Sequence, residues 1–176
     1  PAYAAVGDAV SATSWLLEVT SSAQDPSQIL TDVADASWIP LAQRAAIYQR
    51  ILQFKEDAVG KHAGLEQQYA EQDLASWQVR WIRYLARLKP YLAAATAIAA
   101  LPREMRDAQS GALIPLDLQV AAQMGTLDSK LAAYRAEPQS APMPEVLRDA
   151  ARAISEAGDK QSARKILEFV FAREIE

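Results

Sequence analysis

The sequence predicts an all-α protein built from antiparallel helical hairpins. Three observations carry that expectation. Only 6 of the 176 residues are glycine, and the 51% apolar share is rich in alanine, a composition that favours packed helices over sheet. Apolar residues recur at steps of three and four along most of the chain. Turn signals at Lys89, Gly125 and Gly158 stand 36 and 33 residues apart, a recurrence of helix–turn–helix units.

In chain order, residues 3–19 read as a first helix with Val6, Val10, Trp15, Leu16 and Val19 on its buried side. Residues 21–24 are a break. Asp25-Pro26 starts a short helix, with Asp as the cap and Pro at the first helical position, where no amide partner is lost. That helix runs through Ile29, Leu30 and Val33 to about Ala36. Trp38-Ile39-Pro40 opens the longest pattern. Ile47, Ile51, Phe54, Ala58, His62, Leu65 and Tyr69 form one stripe, which predicts a continuous helix over about 40–70. Gly60 and Gly64 either bend it or allow a close approach. The polar run 67–73 is read as the next boundary.

From Leu74 to Leu88, Trp77, Trp81, Tyr84, Leu85 and Leu88 line one side of a helix and Arg80, Arg83 and Arg87 the other. Lys89-Pro90 breaks it. Residues 91–101 form an alanine-rich partner stopped by Pro102. After a polar stretch, 113–124 is helical, bent at or begun from Pro115, and Gly125 ends it. Residues 127–136 are its partner, and the proline-rich 137–144 is a connector.

The last stretch, 144–176, is the clearest. Val146, Leu147, Ala150, Ala151 and Ile154 form one apolar face. Ala163, Ile166, Leu167, Val170 and Phe171 form another. Gly158 frees the backbone to end the first helix and Asp159 can cap the second. This hairpin resembles a tetratricopeptide repeat (TPR), with Gly158 on the turn glycine, Ala151 and Ala163 on the two small positions, and Leu147, Ile154 and Leu167 on large packing positions. It departs from the family at Ala150, where a large residue is usual, and at Ile175, where proline is usual. The resemblance is clearest over 144–176 and extends to 74–138, where Lys130 takes the place that Ala163 fills. It implies a right-handed α-solenoid of three hairpins over 74–176, preceded by N-terminal helices over 1–72, in a single all-helical domain spanning 1–176. An irregular helical bundle is the alternative. The missing initiator Met, and the lack of a turn or cap at Glu176, predict a fragment of a longer protein. The last hairpin's outer side, around Val170 and Phe171, is then expected to lack a neighbour and to pair with a second copy or to lower the fragment's stability.

Charge and residue usage narrow the functional classes. A net charge of −4 argues against general nucleic-acid binding, which needs a basic footprint. The chain has no Cys, hence no disulfide or thiol chemistry, and no Asn, hence no N-glycosylation acceptor. No apolar run approaches the length of a membrane span, and no secretory pattern stands at the N-terminus. The compartment is unreadable.

Motifs of chemistry are sparse. His62 is the only histidine and lies outside any HExxH pattern. Ser162-Ala163-Arg164-Lys165 matches SxxK, but the companion SDN and KTG motifs are absent, and a serine in a helix's first turn serves the backbone. Glu145 and Asp149 share a face with Arg148 and Arg152 and read as a solvated surface with local ion pairs. The aromatics and arginines between Trp77 and Arg87 fall on different faces, so they do not form a stacking platform for single strands. No glycine-rich phosphate loop occurs. No catalytic residue, cofactor or metal is expected, and the chain is read as not itself an enzyme.

One pattern points to a ligand. In TPR-like arrays the first helix of each hairpin lines a concave groove. The resemblance places Arg83, Arg87, Gln119, Gln123, Arg148 and Arg152 there, where long donors could hold an extended peptide by its carboxylates. The expected function is a protein–protein interaction or scaffolding segment for a peptide or protein partner. The alternative is a helical accessory domain of an enzyme whose active site lies elsewhere.

Overall fold

The chain breaks where caps and left-handed residues force it to. The computed structural model describes residues 8–20, 25–34 and 39–175. Helix accounts for 86% of the described residues and no strand occurs among them, so the all-α class holds. Two compact units meet in sequence between Gln78 and Val79, and each has its own core.

The first unit holds α1 (Ala9–Val19), α2 (Pro26–Ala34), α3 (Leu41–Lys61) and the opening of α4 (Leu65–Leu88). Both α1 and α2 pack on α3. Asp8 caps α1, its Oδ1 accepting from the Ser11 amide at 2.9 Å. Asp25 accepts from the Ser27 amide at 2.9 Å, and Pro26 occupies the first position of α2, as the sequence predicts. Leu30, Ile39, Ile47, Tyr48 and Ile51 are fully buried. The Tyr48 and Trp77 rings meet edge-on at 6.1 Å, a geometry favoured by the aromatic quadrupole.

Three expectations are corrected in this unit. The buried face of α1 is Ala12, Thr13, Leu16 and Thr20, whereas Val10, Trp15 and Val19 are exposed. Thr20 can be buried because its hydroxyl donates to the Leu16 carbonyl at 2.7 Å. The expected start of that helix, including Val6, lies outside the described residues, as do Trp38, the break at 21–24 and the end near Ala36. The stripe over 40–70 is two helices. His62 leaves α3 in an extended conformation and Gly64 takes a φ of +63°, which stops one helix and starts another. Leu65 and Tyr69 are exposed. The expected boundary at 67–73 is instead the interior of α4. Its three glutamines, Ala70 and Glu71 are good helix formers, and Gln67 donates to Glu71 one turn on at 2.9 Å.

The second unit takes the rest of α4, then α5 (Tyr91–Ala100), α6 (Arg103–Ala108), α7 (Ser110–Gln123), α8 (Leu127–Ala136), a 3-10 turn (Pro138–Ser140), α9 (Pro144–Glu156) and α10 (Lys160–Ile175). The connections fall at the three expected turns. Lys89, Gly125 and Gly158 all have positive φ. At the last two, an amide reaches back five residues to close the helix end: Thr126 to Ala121 at 2.9 Å and Asp159 to Ile154 at 3.1 Å. Asp159 then caps α10, accepting from the Ser162 amide at 3.0 Å.

Two apolar clusters fill this unit. Val79, Ile82 and Leu85 of α4 join Ala94 and Ile98 of α5 and Leu113, Leu116 and Val120 of α7. Leu118 of α7 joins Leu131 of α8, Leu147 and Ile154 of α9, and Ile166 and Phe169 of α10. The central helix therefore serves both clusters. It begins at Ser110, three residues earlier than expected, with Pro115 inside it. A short helix, α6, occupies part of the polar stretch that follows Pro102. In α10 the buried ring is Phe169, packed beside Tyr134 at 6.3 Å, while Phe171 is 57% exposed. Leu88 is exposed as well.

Candidate peptide-binding groove

The last hairpin presents its outer side as a cleft of about 550 Å³. The floor comes from residues that the helical period turns away from water: Ala151 of α9 and Ala163 of α10, both buried, and the half-buried Leu167. Arg148 and Arg152 rise from α9 on one side. Lys160 and Arg164 rise from α10 on the other. Because α9 and α10 are antiparallel neighbours joined by a three-residue turn, cations far apart in sequence face one another across the floor.

The rim charges are held loosely. Arg148 pairs with Glu174 across the two helices. Arg152 approaches Asp149 only to 3.7 Å, on exposed side chains. Arg164 donates through Nε to Glu168 one turn on at 2.7 Å. Ion pairs this exposed are worth about 0.2–1 kcal/mol, so a ligand carboxylate can compete for them.

Of the six expected groove residues, Arg148 and Arg152 line this cleft. Arg83, Arg87 and Gln123 are exposed and Gln119 is half-buried. They lie on α4 and α7 and line none of the clefts described here. Lys160, Arg164 and Leu167 were not singled out by sequence as site residues. Their signal was present in the antiparallel register about Gly158, which sets them opposite Ala151 and Arg152. Of the side expected to be uncovered around Val170 and Phe171, Val170 is fully buried within its own unit and Phe171 is exposed.

The SxxK pair does not converge. Lys165 donates to Asp128 of α8 at 2.7 Å, and the Ser162 amide is taken by Asp159. That amide bond, with the serine hydroxyl, holds the Asp159 carboxyl below the usual range. A second cleft in this unit, of about 460 Å³, holds Asp117 and Tyr134. Asp117 is tied to Lys130. Burial, and then the Asp117 charge, push the Tyr134 hydroxyl up to about 12, so it stays a neutral donor.

In the first unit a cleft of about 470 Å³ surrounds Lys55, whose side chain is 10% exposed. Its Nζ lies 2.9 Å from Asp73 Oδ2 and 3.3 Å from Asp25 Oδ2. His62 sits at the mouth with Nδ1 3.2 Å from Glu66. The cation is paired with both carboxylates, which makes it a tie between the start of α2, α3 and α4. No helix among the described residues is long and apolar enough to cross a membrane. No protein-family model, curated protein or solved structure matches this chain.

Proposed function

We propose that this chain is a non-enzymatic protein–protein interaction segment. In this reading residues 74–176 form a TPR-like right-handed solenoid that presents a polar surface to a peptide or protein partner. The observation that carries it is the adjacency of α7 and α9, the first helices of the second and third hairpins, with α9 packed in turn on α10. Further support comes from the three left-handed turns and from the touching second helices, α8 and α10. Each hairpin would bury its apolar faces on its neighbour and leave its outer polar residues for a ligand.

The ligand would be an extended peptide bearing carboxylates. Gln119 and Gln123 on α7, and Arg148 and Arg152 on α9, supply long donors on neighbouring helices, and Arg83 and Arg87 would extend the row. A guanidinium offers two parallel N–H donors, which fits a carboxylate better than a point charge does. Binding would require Arg148 to exchange Glu174 for the ligand.

The test is a peptide array read with the 176-residue chain and with the Arg148→Glu/Arg152→Glu variant. Sequence-selective binding that falls about tenfold or more in the variant, at unchanged helicity by circular dichroism, is the expected outcome. Equal binding by both proteins would refute the groove assignment.

A further inference from the structure

We infer that the cavity between the C-terminal ends of α8 and α10 binds a small organic acid with an apolar body. It lies apart from the α9–α10 cleft and from the donors on α4, α7 and α9, so it does not depend on the peptide reading. Its volume is about 370 Å³, within the range of pockets that hold small molecules. The end of α8 and the turn after it contribute Tyr134, Arg135 and Pro138, and α10 contributes Phe169, Ala172 and Arg173.

The charge of the ligand follows from what the two arginines lack. Neither forms an ion pair among the described residues, and no carboxylate lines the cavity. The acidic residues nearby are engaged elsewhere. Glu137 accepts from Ser140 at 3.2 Å, Glu174 pairs with Arg148, and Asp117, in the neighbouring cleft with Tyr134, pairs with Lys130. Arg173 gives one N–H to the Pro142 carbonyl at 3.0 Å and keeps its other donors. Both guanidiniums are positioned before any ligand arrives. The Arg135 and Arg173 groups lie over the Phe169 ring, 5.4 Å and 5.7 Å from its centre. Attraction to the ring holds a planar guanidinium and leaves its edge donors for an oxyanion. Both arginines also stand in the last turn of their helices, where each carbonyl end carries about half a negative charge. Two cations in that field leave a net positive charge of about one. One carboxylate neutralises it, and a phosphate dianion would overshoot.

The body of the ligand follows from the walls. Beyond the cations they are the Tyr134 and Phe169 rings, Pro138 and Ala172, which offer apolar surface and, the Tyr134 hydroxyl aside, no hydrogen-bonding side chain. A sugar acid would leave its hydroxyls without partners there. An aromatic or branched carboxylate would not.

The probe is 2-naphthoate, titrated into the 176-residue chain by calorimetry, with neutral 2-naphthamide and with acetate as controls. Naphthoate is expected to bind about tenfold tighter than either control, because the amide lacks the charge and acetate lacks the body. Arg135→Gln and Arg173→Gln should each weaken naphthoate about tenfold. Arg135 is exposed, so its variant probes the site without touching the Pro142 bond, and circular dichroism checks that both variants fold. Arg103→Gln, an exposed change on α6, should leave binding as it is. Equal affinity for naphthoate and naphthamide, acetate binding as tightly as naphthoate, no binding of naphthoate, or indifference to Arg135→Gln would each overturn the inference. The peptide array reads Arg148 and Arg152, which lie outside this lining, so either reading can fail while the other stands.

Discussion

Lys55 is the residue on which the first unit's electrostatics turn. Burial opposes its charge, but the bond and charge of Asp73, then those of Asp25, outweigh it and hold the ammonium above its ordinary 10.5. Burial likewise pushes the Asp25 carboxyl up. The Ser27 hydrogen bonds and the Lys55 charge prevail and keep it below 3.8. The lowered Asp25 value contributes stability that is full above 3.8 and fades as pH falls through the folded value. The raised Lys55 value contributes stability that is full below 10.5 and fades as pH rises past the folded value. The tie therefore acts between about pH 4 and pH 10. Lys55→Met should cost about 1–2 kcal/mol at neutral pH in urea unfolding, less than a fully buried pair because Asp73 is half exposed. The gap to wild type should narrow as pH drops below 3.8; a gap that stays constant would show that Lys55 acts only by packing. None of this was legible in the sequence. Asp25 stands 30 residues before Lys55, and no local pattern links carboxylates to a lysine on an otherwise ordinary helix.

At the scale of elements, the boundaries that could be read were those marked by several signals at once. In the last hairpin a left-handed glycine, a capping aspartate and two apolar faces all agree, and α9 and α10 begin and end where the residues say. A single signal misled. The valines and tryptophan of α1 outweighed two buried threonines, of which Thr20 gives its hydroxyl to the Leu16 carbonyl, so the wrong face was chosen. Polarity over 67–73 was read as a break although its residues favour helix. The choice of Phe171 over Phe169 followed from extending an apolar face by one residue where two aromatics flank Val170. Glycine positions test the same logic. Gly158 sits at φ +97° with open space around it, so an added Cβ meets no neighbour and the cost is purely that of the backbone. Gly158→Ala should destabilise by about 1–2 kcal/mol. Gly60, inside α3 with equally open space, should give a gain of about 0.5–1 kcal/mol as Gly60→Ala. Thermal melts of the pair decide it. Loss in both would mean that α3 needs its glycine for a contact, and no change at Gly158 would mean the turn relaxes.

For the whole molecule, charge and composition gave the class but not the site. A net −4 was read as an argument against nucleic acid, and it says nothing of where charges gather: the four cations around the α9–α10 cleft stand among Glu156, Asp149, Glu168 and Glu174. That arrangement depends on antiparallel pairing, which no one-dimensional count of charge contains. The six groove donors were placed by resemblance, and the two on α9 line the α9–α10 cleft. The same cleft bears on assembly. Sedimentation across micromolar concentrations should give a monomer, because the apolar floor of the α9–α10 cleft is only Ala151, Ala163 and Leu167, far less than a stable dimer interface buries. A dimer that persists in high salt would locate a different, apolar interface.

The double duty of α7 has a consequence for how the second unit opens. Leu118 belongs to one cluster, and Leu113, Leu116 and Val120 to the other. Neither cluster can be exposed to water without uncovering part of this helix, so partial unravelling from either side stops there. The amide protons of α7 are therefore the ones that solvent deuterium should reach last, and their exchange rate measures the global stability of the unit and not a local fluctuation.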